Sequence, residues 1–127
     1  KVLAANVRVN GILAKRRKDA PSLNKDIVVD MTNMDTWARK HALDVVKGRT
    51  DFKKVAVLFP FDKPGYLEKI KASAKQRSKE YAAQGRHKVI PDDYYDYLVS
   101  KYIPPSIEEG FDDIMIYDRF GEKVKWN

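Results

Sequence analysis

Apolar and polar positions alternate along this chain in two different periods. Residues 2 to 17 place Val2, Leu3, Val7, Ile12 and Leu13 at helical spacing, and the segment ends in Lys15, Arg16, Arg17 and Lys18. Cations there complement the partial negative charge at a helix C-terminus, so a helix is predicted. A polar loop with Pro21 and Ser22 follows. Ile27, Val28 and Val29 then form a short continuous apolar run closed by Asp30, the pattern of a strand buried on both faces. Asp35 or Thr36 caps the next helix, which presents Trp37, His41, Val45 and Val46 on one face and stops at Gly48.

A second buried strand is predicted over 55–59 (Val55, Ala56, Val57, Leu58, Phe59), stopped by Pro60. Asp62 and Pro64 supply a cap and a first-turn proline for a long helix over 64–81, with Leu67, Ile70 and Ala74 inward. Gly85 breaks it. Pro91, Asp92 and Asp93 open a further helix in which Tyr94, Tyr95, Leu98 and Tyr102 recur at helical spacing before Pro104 and Pro105. Ile114, Met115, Ile116 and Tyr117 read as a third strand, and the tail from Arg119 to Asn127 is too short to place. Helices alternating with buried strands predict an α/β fold: one parallel sheet, with strands near 27–30, 54–59 and 113–118 and helices on both faces. Ligands of such sheets bind beyond the carboxyl ends of the strands. Those ends carry Asp30 to Asn33, Pro60 to Asp62, and Asp118 with Arg119.

Composition narrows the chemistry. With 127 residues, 43% hydrophobic and 34% charged, the chain has the makings of one globular domain or a large piece of one. No apolar run approaches the length of a membrane helix, and Arg8 comes too early for a secretory apolar region. A soluble, unexported, intracellular chain is expected. The opening residue, Lys1, stands in what reads as a helix already under way, as in a fragment or processed product. Cysteine is absent, which removes thiolate chemistry, and His41 and His87 lie too far apart for a helical metal pair. No metal site is expected. A net charge of +7 and a pI near 9.5 favour polyanionic partners such as nucleic acid.

Two segments concentrate candidate chemistry. Asp30, Thr32 and Asn33 place a carboxylate, a hydroxyl and an amide at a predicted strand end, with Arg39 and Lys40 in the helix behind them. Local turn and capping bonds account for the same residue types equally well. From Lys75 to Pro91, Lys75, Arg77, Lys79, Arg86 and Lys88 gather cations fit to neutralise phosphates. A solvated helix face, with Lys71, Lys75 and Lys79 four apart, explains part of this run as well. Tyr94, Tyr95, Tyr97 and Tyr102 beside it are able to stack on bases, although their spacing favours core packing of Tyr94, Tyr95 and Tyr102. Asp92 and Asp93 suit a helix's first turn better than a metal.

Taken in order, these pieces resemble a known family. A buried strand ending in Asp-x-Thr-Asn, a helix with a basic pair, a Val-rich strand, a lysine-rich helix, Gly-basic-x-x-Pro and a final strand are similar to the polynucleotide-kinase-like branch of P-loop kinases. That branch includes the kinase-like domain of heterogeneous nuclear ribonucleoprotein U and its relatives and, more distantly, phage polynucleotide 5'-hydroxyl kinases. The resemblance runs from about residue 2 to 118 and is sharpest from Val28 to Arg39. It implies that the chain is the C-terminal portion of a P-loop domain, with Arg77 and Arg86 as catalytic lid arginines. It further implies that Asp30, Thr32, Asn33 and Arg39 lie near nucleotide or substrate, and that Lys75, Lys79 and Lys88 contact nucleic acid. None of the six glycines sits in a G-x-x-x-x-G-K-[ST] pattern. ATP and Mg2+ would therefore enter only with a segment or partner chain bearing the phosphate loop. The alternative is a catalytically silent RNA-binding or scaffold component of a ribonucleoprotein assembly.

Overall fold

The computed structural model describes residues 2–121 and 124–126. Helix α1 spans Val2–Asp19 and, as its basic last turn predicts, ends beside a 3-10 turn at Ala20–Leu23 that contains Pro21. Helix α2 spans Thr36–Asp44; the Asp35 carboxylate accepts from the Ala38 amide at 2.8 Å, which selects Asp35 over Thr36 as the cap. Strand β1 is Val55–Leu58, helix α3 is Tyr66–Ala83, helix α4 is Asp92–Ser100, strand β2 is Asp113–Tyr117 and strand β3 is Val124–Trp126. Asp62 and Pro64 shape a turn before α3, whose cap is Gly65 at φ 78°, a left-handed conformation that glycine adopts without a Cβ penalty.

β1 and β2 pair in parallel, with Ala56 opposite Ile114 and Leu58 opposite Ile116. Their connection runs through α3 and α4, the helical crossover that parallel pairing requires. The result is a small α/β fold, a parallel two-stranded core of sheet flanked by helices. Two expectations about the sheet are corrected. Residues 27–30 form no strand and are not paired in the sheet, whose order is β1-β2-β3. The short tail forms β3 and adds antiparallel to β2, with Met115 opposite Trp126. An apolar run does not specify a neighbour, and here Val28 is 86% exposed while Ile27 and Val29 are half-buried.

The core is thin. Val46, Ala56, Tyr66 and Ile114 are its buried apolar residues. At the carboxyl ends of β1 and β2, aromatic rings pack edge to face: Phe61 lies 5.8 Å from Tyr66 and 5.6 Å from Tyr102, and Tyr66 lies 5.4 Å from Phe120. This cluster fixes the start of α3, and the Tyr66 hydroxyl accepts from the Arg119 amide at 3.4 Å. Burial pushes the Tyr66 phenol above its ordinary range. Leu67, Ile70 and Ala74 are half-buried, as their spacing predicts. On α2 the inward face differs from the predicted one. Trp37 is 69% exposed and packs against the exposed His41, while Ala38, Arg39, Ala42, Leu43 and Val46 turn inward.

α3 and α4 form a hairpin. Lys71 Nζ meets Asp96 Oδ1 at 2.6 Å and Lys75 Nζ meets Asp92 Oδ2 at 3.0 Å. The Ser78 hydroxyl donates to the Lys88 carbonyl at 2.8 Å and ties the connecting loop to α3.

Candidate functional site

The segment that follows residues 27–30 turns sharply into α2. Asn33 takes φ 43°, a left-handed conformation that asparagine tolerates better than most residues, and its side-chain amide donates to the Val29 carbonyl at 3.4 Å. Asn33 thus closes its own turn. Asp30 and Thr32 stay exposed. Behind them, Arg39 is 5% exposed and each nitrogen of its guanidinium donates one hydrogen bond. Nε donates to Glu109 Oε1 at 2.8 Å, Nη2 to Glu109 Oε2 at 3.1 Å, and Nη1 to the Asn33 carbonyl at 3.1 Å.

Glu109 also accepts from the Ser106 amide at 2.8 Å, completing a capping box on the turn Ile107–Glu109. Burial pushes the Glu109 carboxyl up, but the hydrogen bonds from Arg39 and Ser106 outweigh it and hold the group below the ordinary carboxylate range. Arg39 therefore joins α2, the 30–33 turn and the segment before β2. A guanidinium so engaged positions the turn and has little left for a ligand phosphate. Nothing in the sequence near Arg39 announces Glu109, which is 70 residues away.

Asp30, Thr32, Asn33 and Arg39 line one cavity of about 540 Å³, whose other wall is built from β1 and its flanks. The structure thus brings the four strand-end candidates together. It does not bring Arg77, Arg86, Lys75, Lys79 or Lys88 to that cavity; they belong to the α3–α4 arm. Lys75 staples the hairpin, whereas the side chains of Arg77, Lys79, Arg86 and Lys88 are exposed and make no hydrogen bond or ion pair among the described residues. Lys71 and Lys75 are consequently hairpin residues, not members of a merely solvated face.

The tyrosines of the arm divide. Tyr95 and Tyr102 are half-buried, as expected, but Tyr94 is 46% exposed and Tyr97 is 56% exposed, so core packing of Tyr94 is corrected. Their rings stack at 6.4 Å and 29°, with Lys101 Nζ 5.7 Å from the Tyr97 ring. A shallow cleft beside them is lined by Val89, Ile90, Pro91 and Asp93.

The chain matches no family model, no curated protein and no solved structure. The sequence holds no phosphate-loop pattern. Among the described residues no three acidic or imidazole groups come together to hold a metal ion. No helix among them is long and apolar enough to cross a membrane.

Proposed function

We propose that the chain is a polynucleotide-contacting part of a kinase-like phosphotransferase, in which the α3–α4 hairpin serves as lid and the 30–33 turn as the substrate-side wall. In the assembled domain the sheet would be wider and covered by helices on both faces. The observation that supports this reading most directly is the division of cations on the arm. Lys71 and Lys75 are spent on Asp96 and Asp92, while Arg77, Lys79, Arg86 and Lys88 have no acidic partner among the described residues. Unpaired cations held on a stapled hairpin are presented to a polyanion at little ordering cost. Arginine adds a planar fork suited to phosphate oxygens. ATP and Mg2+ belong, on this reading, to a polypeptide that carries a phosphate loop.

The exposed Tyr94–Tyr97 stack favours a second reading, an RNA-binding or scaffold component without catalysis, because paired aromatic faces beside cations accept unstacked bases. One experiment separates the two. Phosphorylation of a 5'-hydroxyl RNA oligonucleotide is measured with a phosphate-loop polypeptide supplied, alongside salt-dependent RNA binding by the chain itself. Under the phosphotransferase reading, Arg77→Ala or Arg86→Ala lowers turnover by about 10³ or more. Under the scaffold reading turnover is absent throughout, and each substitution reduces the salt slope of binding by about one. Unchanged turnover and an unchanged slope would refute both.

A further inference from the structure

α4 carries three aspartates, and two of them hold the arm together: Asp92 pairs with Lys75 and Asp96 with Lys71. The third is left over. Asp93 is exposed, caps no amide of its helix and makes no hydrogen bond or ion pair among the described residues. It lines the shallow cleft of about 510 Å³ whose other walls are Val89, Ile90, Pro91, Tyr94 and Tyr97. A carboxylate without a partner thus stands beside the exposed Tyr94–Tyr97 stack.

The cleft is built before any ligand arrives. The Ser78 hydroxyl holds the Lys88 carbonyl at 2.8 Å, which fixes the loop leading into Val89 and Ile90, and the Lys75–Asp92 pair ties the start of α4 to α3. Little ordering cost remains for binding. Val89 is 77% exposed and Ile90 40%, so the floor is apolar and open. Cations flank it: Lys88 precedes Val89 in the chain, and Lys101 Nζ lies 5.7 Å from the centre of the Tyr97 ring. Neither lysine has an acidic partner among the described residues. Flat apolar surface for a ring, cations beside it for phosphates, and one acceptor-only group in its lining suit a single nucleotide of a strand.

The carboxylate selects among the bases. Once ionised it only accepts, through two oxygens side by side. Guanine alone presents two adjacent donors, N1–H and the N2 amino group, on its Watson–Crick edge. Adenine and cytosine set one donor beside an acceptor, and uracil sets one donor between two acceptors, so each turns a lone pair toward a carboxylate oxygen. We infer that the cleft is the seat of a guanine base in single-stranded RNA, stacked on the tyrosine pair and donating from N1 and N2 to Asp93, with neighbouring phosphates on Lys88 and Lys101. This names the ligand of the RNA-binding reading above and rests on that reading. A proline-rich peptide is the other occupant that tyrosines over an apolar floor accept, but it gives the flanking lysines nothing to neutralise.

The test titrates the 127-residue chain with four RNA heptamers, uridine throughout except for a central guanosine, adenosine, cytidine or uridine, by fluorescence anisotropy at fixed salt. The guanosine heptamer is expected to bind about tenfold more tightly than the other three. Inosine at the centre lacks the N2 amino group and should lose most of that preference. Asp93→Asn replaces the carboxylate with an amide carrying a donor group and an acceptor, so preference should move from guanosine to adenosine with an unchanged circular dichroism spectrum. Equal binding of the four heptamers would overturn the guanine seat and leave the RNA-binding reading intact, whereas absence of RNA binding would overturn both. A guanosine preference that survives Asp93→Asn, or free GMP binding as tightly as the heptamer, would also overturn the inference. So would a proline-rich peptide that shifts the amide resonances of residues 93–97 where the guanosine heptamer does not.

Discussion

Arg39 and Arg77 are the same side chain in opposite circumstances. Arg39 is buried, makes three hydrogen bonds and joins segments 70 residues apart. Arg77 is exposed on α3 and makes none among the described residues. A buried guanidinium is desolvated, and its worth lies in what happens when its partner is removed; an exposed one keeps its hydration and contributes almost nothing to folding. The cavity floor is therefore where charge maintains structure, and the arm is where charge remains available for a ligand.

Breaking the floor is the largest expected effect. Arg39→Ala strands the Glu109 carboxylate and should cost about 3–5 kcal/mol, a large share of the 5–15 kcal/mol typical of a domain. Urea denaturation would show it as a lowered midpoint. Replacing Arg39 and Glu109 together by methionine should recover most of the loss, because no charge is left unpaired. If the single substitution were silent, the contrast between floor and arm would collapse.

On the arm, Tyr97→Ala should weaken single-stranded RNA binding by about 1–3 kcal/mol if a base stacks there, with little change in stability. Tyr95→Ala, at a half-buried position, should do the reverse. Fluorescence anisotropy and thermal melting of the two variants check the division. Arg77→Ala and Arg86→Ala should change folding stability by no more than about 0.5 kcal/mol, as denaturant titration would report.

Acid supplies the smallest and sharpest test. The folded-state pKa of Glu109 is held below its unfolded value of about 4.3. The unfolded chain therefore binds the proton first, and the ion pair's stabilisation is fully present above that pH. It is lost as pH falls through the lower, folded value. Stability of the native chain should decline with acid through this window, and Glu109→Gln should remove that part of the slope.

Much of the local structure was legible in order and type. Basic residues at the end of α1, Asp35 before α2 and the β-branched run of β1 act on their immediate neighbours, so the segment itself carries the information. Residues 27–30 show where that ends: Ile27 to Val29 announce burial, yet their pairing depends on what lies beside them, and in this chain a cavity lies there. β3 was missed because three residues carry too little period to read, and β2's open edge is what makes them a strand. The candidate site divides the same way. Asp30, Thr32 and Asn33 were singled out from their position at the end of an apolar run and line the cavity, while Glu109, the partner that defines Arg39, gave no local signal.

What the sequence by itself determined is therefore the set of helices, the parallel pair β1 and β2, and the basic character of the segment from 75 to 91, because propensity, capping and charge are properties of short stretches. Tertiary structure alone decided which cations are free. Lys71 and Lys75 became hairpin ties when α4 folded back to present Asp96 and Asp92, and Arg39 became structural when Glu109 reached it, since an ion pair depends on distance in space and not on spacing along the chain.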